Sequence, residues 1–296
     1  MRKDSVNRSN SSSNLSGSNR ANSSNRLNSS SGSNHLSGLR GSNGLSGLSC
    51  FFEWYPVFLR EMLMFRRKLM KLGYLFSAMV VPIIYLVTFG LGLGRNVQIQ
   101  GSDYLTYLLP GLVAMSSMNN SYTWVASALN LNRLYFKTFQ VFVQAPIRPS
   151  SIMIGEVLAG MVKGLFASAL ILIVGFIVSR DLSITPLFVV TLLLNCFLFA
   201  CLGVIVGMIT KSHEDTSTYN NFFILPMAFF SGTFFPVDRM PELLKYLVYM
   251  LPLTHTNIVI RQTVPDAAGL LSLGVLAAYA LAFFIAGSRL ISNYSE

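Results

Sequence analysis

Charge is what this sequence has least of: Asp, Glu, Lys and Arg make up 11% of its 296 residues, and the stretches 72–94, 104–132, 182–210, 216–237 and 267–288 contain none. An average soluble domain carries about 25% charged residues, so this composition excludes an ordinary water-soluble fold. Cysteine is also scarce. Cys50, Cys196 and Cys201 are an odd count without C-x-x-C spacing, which leaves no disulfide framework or thiolate metal centre, and the last two read as packing residues in one apolar run. No G-x-x-x-x-G-K-[ST] phosphate loop occurs, and Gly90, Gly92 and Gly94 sit at the end of an apolar run rather than between a strand and a helix. Convergent acid–base chemistry is missing too. His213, Glu214 and Asp215 are consecutive, so their side chains diverge, and His255 and the few carboxylates are scattered. No catalytic residue and no metal site is expected, which disfavours an intramembrane lipid- or glycan-modifying enzyme.

What is present is apolar sequence: 52% hydrophobic residues at a mean hydropathy of +0.52. A helix rises about 1.5 Å per residue, so about 20 apolar residues cross a hydrocarbon core of about 30 Å. The five uncharged stretches qualify, and residues 151–178 form a sixth, apolar apart from Glu156 and Lys163. The expected fold is an all-α membrane protein of six transmembrane helices. Its spans run near 72–94, 104–128, 151–178, 184–209, 221–235 and 268–288, with Pro82 kinking the first. Residues 1–49, almost all Ser, Asn, Gly, Leu and Arg, lack aromatics and read as a disordered cytoplasmic tail. In residues 50–71, aromatic and aliphatic side chains alternate with Arg60, Glu61, Arg66, Arg67 and Lys68, the pattern of an amphipathic interfacial helix. Residues 72–290 form the transmembrane domain and 291–296 a short C-terminal tail. Between spans 5 and 6 an apolar segment is broken by Pro241 and Pro252 and reads as short re-entrant helices, with Pro241 in the first turn of one and Pro252 ending it.

The net charge of +10 lies between the spans rather than on one face, so no nucleic-acid partner is expected. Leaving aside the tail and Lys163, an internal N-terminus puts ten Lys and Arg on the cytoplasmic side and five outside. Both termini are therefore expected in the cytoplasm of a multi-pass protein of the cell inner (plasma) membrane, in contact with its lipids.

Lys163 falls near the middle of span 3, where a cation costs at least about 2.5–3.5 kcal/mol and must face protein or water. Glu156 is seven residues earlier, about 10.5 Å along the axis, too far for a direct bond. Asn195 and the Ser116–Ser121 patch, with Asn119 and Asn120, are the candidate polar neighbours. These groups read either as interhelical hydrogen-bonding glue or as part of a pathway, and Lys163→Leu is expected to insert normally but transport poorly. The pairs Gly160/Gly164 and Gly203/Gly207 stand four apart and read as close helix packing within one subunit.

At YLTYLLPGLVAMSS (104–117), GEVLAGMVKG (155–164) and FFILPMAFFSGTFFPVDRMPELLKYLVYMLPLTH (222–255), the chain resembles the type-2 permeases of ABC exporters. Its closest likeness is to the NodJ-like and drug- and polysaccharide-exporter branch. The resemblance covers about Phe51 to Ser288 and rests on the order of its pieces rather than on any single one. It implies a dimer with a second permease copy, identical or paralogous, and a partner ATP-binding ABC subunit. This chain then binds no cofactor itself, ATP and Mg being on the partner. Family members move drugs, lipids, lipo-oligosaccharides or polysaccharides. In the family the loop after span 2 holds a coupling helix; here that implies Leu134–Gln144, with Arg133, Tyr135, Phe136, Lys137, Phe139 and Gln140 facing the ATPase. Gln140 stands where many relatives carry an acid. Span 5 of the family lines the export path, which sets substrate contact at Phe229, Phe230, Ser231 and Phe234 against plain lipid-facing bulk. An ion-coupled secondary transporter is the alternative, resting on Glu156 alone, without a visible internal repeat.

Overall fold

The computed structural model describes residues 52–70, 72–92, 98–99, 102–178, 184–264 and 266–294; the polar tail, Cys50, Arg95 and Arg180 lie outside them. The described chain is helical, apart from a two-residue antiparallel pair, β1 (Gln98–Ile99) and β2 (Ser102–Asp103), in which Gln98 faces Asp103. The helices are α1 (Tyr55–Leu69), α2 (Leu72–Tyr85), α3 (Tyr104–Leu134), α4 (Thr138–Gln144), α5 (Pro149–Val178) and α6 (Pro186–Ile209). They are followed by α7 (His213–Tyr219), α8 (Leu225–Phe230), α9 (Glu242–Tyr249), α10 (Pro252–Ile260) and α11 (Ala267–Ser292).

Three of these, α5, α6 and α11, are long and apolar enough to cross a membrane, at 30, 24 and 26 residues. At about 1.5 Å per residue they reach about 45, 36 and 39 Å against a core of about 30 Å. The pair α9–α10, bent by 91°, adds up to one more if counted as a single span. Pro252 does not end a helix, as the sequence suggested. It opens α10, whereas α9 has already closed at Tyr249, because a missing N–H is harmless in a first turn. Pro82 lies inside α2, which widens into a π-helical turn over Leu86–Leu91. A second π-helical turn, Asn220–Ile224, joins α7 to α8, so this helical column begins at His213 rather than near residue 221. His213–Asp215 is thus a helix start. Ser212 accepts from the Asp215 N–H at 3.0 Å and Asp215 accepts from the Ser212 N–H at 3.1 Å, a reciprocal cap.

The core is built around α3, which packs against α5 and α6, while α11 covers the far side of α6 and also touches α5 and α10. Four glycines make that closeness possible. A Cβ on Gly160 would fall 2.5 Å from Val125, and one on Gly164 1.9 Å from the Ser121 hydroxyl. On α6, Cβ atoms at Gly203 and Gly207 would fall 2.8 Å from the Tyr122 carbonyl and 3.0 Å from that of Ala126. Both glycine pairs therefore clasp the same stretch of α3 within one chain, where dispersion contacts rather than water exclusion hold helices together.

Polar side chains bind this core across helices. Asn195 of α6 donates to the Ala114 carbonyl at 3.2 Å and the Ser117 hydroxyl at 2.7 Å, and accepts from Thr256 of α10 at 2.8 Å. The S-G-T-F-F turn after α8, with Gly232 at φ +77, would expose bare carbonyls in an apolar setting. Each finds a donor. Asn257 reaches Ser231 O at 2.8 Å, the Tyr107 hydroxyl Gly232 O at 2.8 Å, Arg261 Thr233 O at 3.2 Å, and the Tyr104 hydroxyl Phe234 O at 3.1 Å. Arg261, counted among the outer cations, is thus a structural donor whose guanidinium also sits 4.0 Å over the Tyr107 ring.

Candidate functional site

One face of α3 carries Ser116, Asn119, Asn120, Thr123 and Ser127, spaced as a single helical stripe. This stripe opens onto a cavity of about 350 Å³ whose other walls are Val81, Pro82 and Tyr85 of α2 and the column Asn220–Phe229. From Met115 to Leu131 the cavity follows α3 for about 24 Å. Lys68, at the end of α1, and Trp124 line it as well, and among the described residues no Asp or Glu does. Asn120 donates to the Ser116 carbonyl at 2.9 Å, and Thr123 donates to Asn220 at 3.2 Å. The Ser116 hydroxyl is buried and has no hydrogen-bond partner among the described residues.

Of the residues proposed for a pathway, Asn119, Asn120 and Phe229 meet here. Phe234 does not line the cavity; it stacks on Phe229 with ring centres 5.3 Å apart and packs against Tyr85 and Phe89, backing the wall. Phe230 is exposed away from the lining, and Ser231 is buried in the turn.

Glu156 and Lys163 lie elsewhere, and here the sequence reading is corrected. Lys163 bonds neither Asn195 nor the serine patch. Its Nζ donates at 2.8 Å to Glu61 of α1, both side chains being 1% exposed. Glu61 takes its place because Val57, Glu61 and Phe65, four apart, form the face of α1 that packs on α5; the backbone is close enough there that a Cβ on Gly155 would fall 2.7 Å from Val57. That spacing put one acid in an apolar stripe and was the available signal. Glu156 stays within electrostatic range of both partners, its Oε1 without a hydrogen bond. From Glu61 a polar chain runs outward: Asn132 donates to it at 3.5 Å, Thr138 donates to Asn132 at 3.4 Å, and Arg60 donates to Thr138 at 3.0 Å. Inward, Lys163 Nζ lies 4.8 Å from the centre of the Trp124 ring, and Lys68 Nζ lies 4.2 Å from the same ring.

The coupling segment is also redrawn. No helix covers Leu134–Gln144: α3 runs on to Leu134, Lys137 turns the chain at φ 51, and α4 starts at Thr138. Arg133 faces inward, donating to the Met208 and Thr210 carbonyls at the C-terminus of α6, where a cation satisfies orphan carbonyls. Phe139 is 0% exposed and packs edge-on against Tyr294 at 5.4 Å, so it is core. Gln140 is half-buried, while Tyr135 and Phe136, at 64% and 65% exposed, and Lys137 stand in solvent.

The described residues thus form a helical membrane chain with one cavity walled by α2, α3 and the α7–α8 column, and with an exposed aromatic turn after α3. Residues 53–264 match the family model "ABC-2 type transporter", and the chain belongs to that family as a transmembrane subunit of an ABC transporter. It is 27% identical to Nodulation protein J of Rhizobium leguminosarum bv. viciae over 245 residues, 81% of this chain and 93% of that protein. It is 25% identical to the inner membrane transport permease YadH of Escherichia coli (strain K12) over 218 residues, 71% of this chain and 85% of that protein.

Proposed function

We propose that this chain is the six-span permease of an ATP-driven exporter of the inner membrane, with both termini cytoplasmic and an amphipathic, lipidic or glycan cargo. It works as a permease pair with ATPase subunits on other chains. The six spans are the column of α2 with its π turn, α3, α5, α6, the α7–α8 column and α11. In this reading α1 lies in the interface, and α9–α10 dips back into the bilayer.

The observation that carries this reading is the groove: a stripe of hydroxyls and amides along a helix buried in protein, open to one side, over a length close to a bilayer core. Polar groups at that depth are expensive unless they serve passage or packing, and the stripe lines the cavity, Thr123 also bonding Asn220 of the facing column. Tyr135, Phe136 and Lys137 provide the ATPase contact; an exposed aromatic pair on a tight turn suits a pocket in a partner.

The test is reconstitution of the permease with an ABC ATPase subunit that co-purifies with it. Asn120→Leu is expected to change which amphiphiles stimulate hydrolysis, and Tyr135→Ala with Phe136→Ala to abolish stimulation while the permease still inserts. Transport by the permease alone would refute the division of labour. The ion-coupled alternative rests on Glu156, but that carboxyl lies outside the groove lining, so ion and cargo would not share a site.

A further inference from the structure

Building on the groove as the cargo path, we infer that it selects amphiphiles with an anionic head group, and that Lys68 is the residue that recognises the anion. Lys68 is exposed, as Arg66 and Arg67 beside it are, but of the three it alone lines this cavity, its ammonium held 4.2 Å from the centre of the Trp124 ring. Trp124 is itself fixed, edge-on to Phe65 at 5.7 Å and with the Lys163 ammonium 4.8 Å from its ring centre. No hydrogen bond or ion pair engages the Lys68 ammonium, and the described lining contains no carboxylate to neutralise it.

A cation at the edge of a low-dielectric recess attracts an anion more strongly than one in open water, because the protein displaces part of the screening solvent. The remainder of the lining sets the rest of the ligand. The same lining carries neutral donors and acceptors, Asn119, Asn120 and Thr123, and apolar side chains, Val81, Tyr85 and Phe229. That combination of anion contact, hydrogen-bonding groups and apolar surface matches a phosphate, sulfate or carboxylate head joined to an uncharged polar part and a hydrocarbon tail. A cationic amphiphile meets like charge at Lys68 and finds no acid among the described lining residues.

The chain has two tryptophans, so Trp54→Phe leaves Trp124, inside the groove, as the only indole. The full-length Trp54→Phe permease in discs of uncharged phospholipid is titrated with dodecyl phosphate, dodecyl maltoside and dodecyltrimethylammonium, with Trp124 emission as readout. Dodecyl phosphate is expected to bind about tenfold more tightly than the cationic probe, the scale of one charge-assisted hydrogen bond. Lys68→Gln is expected to remove that preference and Lys68→Arg to keep it, with dodecyl maltoside unaffected by either. Inorganic phosphate is expected to give no saturable change, and doping the discs with anionic phospholipid to leave the midpoint in place. A saturable response to inorganic phosphate, or loss of the probe's signal to anionic phospholipid, overturns the proposal in favour of a free-anion or bulk-lipid site. Equal binding of all three amphiphiles, unchanged in Lys68→Gln, overturns the charge selectivity while leaving the groove as a path. No response to any amphiphile removes both.

Discussion

Lys163→Leu tests the reasoning about the buried pair most directly. At an effective dielectric constant of about 20, unit charges 2.8 Å apart attract by about 6 kcal/mol, most of which desolvation of two buried groups offsets. The intact pair therefore contributes little net stability, but removing one partner strands the other at about 3–5 kcal/mol. The two single variants are not equivalent. Lys163→Leu leaves both Glu61 and Glu156 without their cation, and Arg60, 3.8 Å from Glu61, is the closest replacement. Glu61→Leu leaves Lys163 within electrostatic range of Glu156 and is expected to be milder. In a chain of this size 1 kcal/mol moves the melting temperature by about 2–4 °C, so Lys163→Leu should lower it by about 6–20 °C. The measurement is thermal unfolding of the purified full chain in detergent, for both single variants and the double Glu61→Leu/Lys163→Leu. The double should recover much of the loss, with a coupling energy of about 2 kcal/mol. Additive losses would refute the pairing, and full transport by Lys163→Leu would refute any part for it in coupling.

The coupling turn and the core beside it should separate cleanly. Phe139→Ala is expected to cost about 3–5 kcal/mol in thermal unfolding, as a buried ring does, whereas Tyr135→Ala and Phe136→Ala leave stability unchanged and lose stimulated ATP hydrolysis. Gly164→Ala, whose Cβ would meet the Ser121 hydroxyl at 1.9 Å, should destabilise by about 1–3 kcal/mol. Gly274→Ala, with nothing within 4 Å, should instead raise the melting temperature slightly through helix propensity. Arg133→Ala should cost about 1–3 kcal/mol by leaving the Met208 and Thr210 carbonyls without their donor, and Arg133→Lys should restore only part of it, since one ammonium does not reproduce a two-pronged guanidinium.

Hydropathy is a sum over neighbours in the chain, so the sequence by itself determined the helical class and the rough placing of the apolar segments. It also determined the role of the glycine pairs, because spacing alone puts Gly160 with Gly164 and Gly203 with Gly207 on one face each. The polar stripe Ser116–Asn119–Asn120–Thr123–Ser127 was readable for the same reason, although only Ser116, Asn119 and Asn120 belonged to the patch named above. Other features depended on which helix meets which, and local periodicity does not carry that information. Lys163 needed an anion, but that Glu61, 102 positions away, supplies it follows from α1 docking on α5. Arg133 and Phe139 looked like docking residues beside Tyr135 and Phe136. Only the α6 C-terminus and Tyr294, brought next to them in space, turn the first two inward and leave the aromatic pair in solvent. The tertiary structure alone set Lys68 against Trp124, since an ammonium's partner is decided by a few ångströms of helix packing that no single segment of the chain encodes.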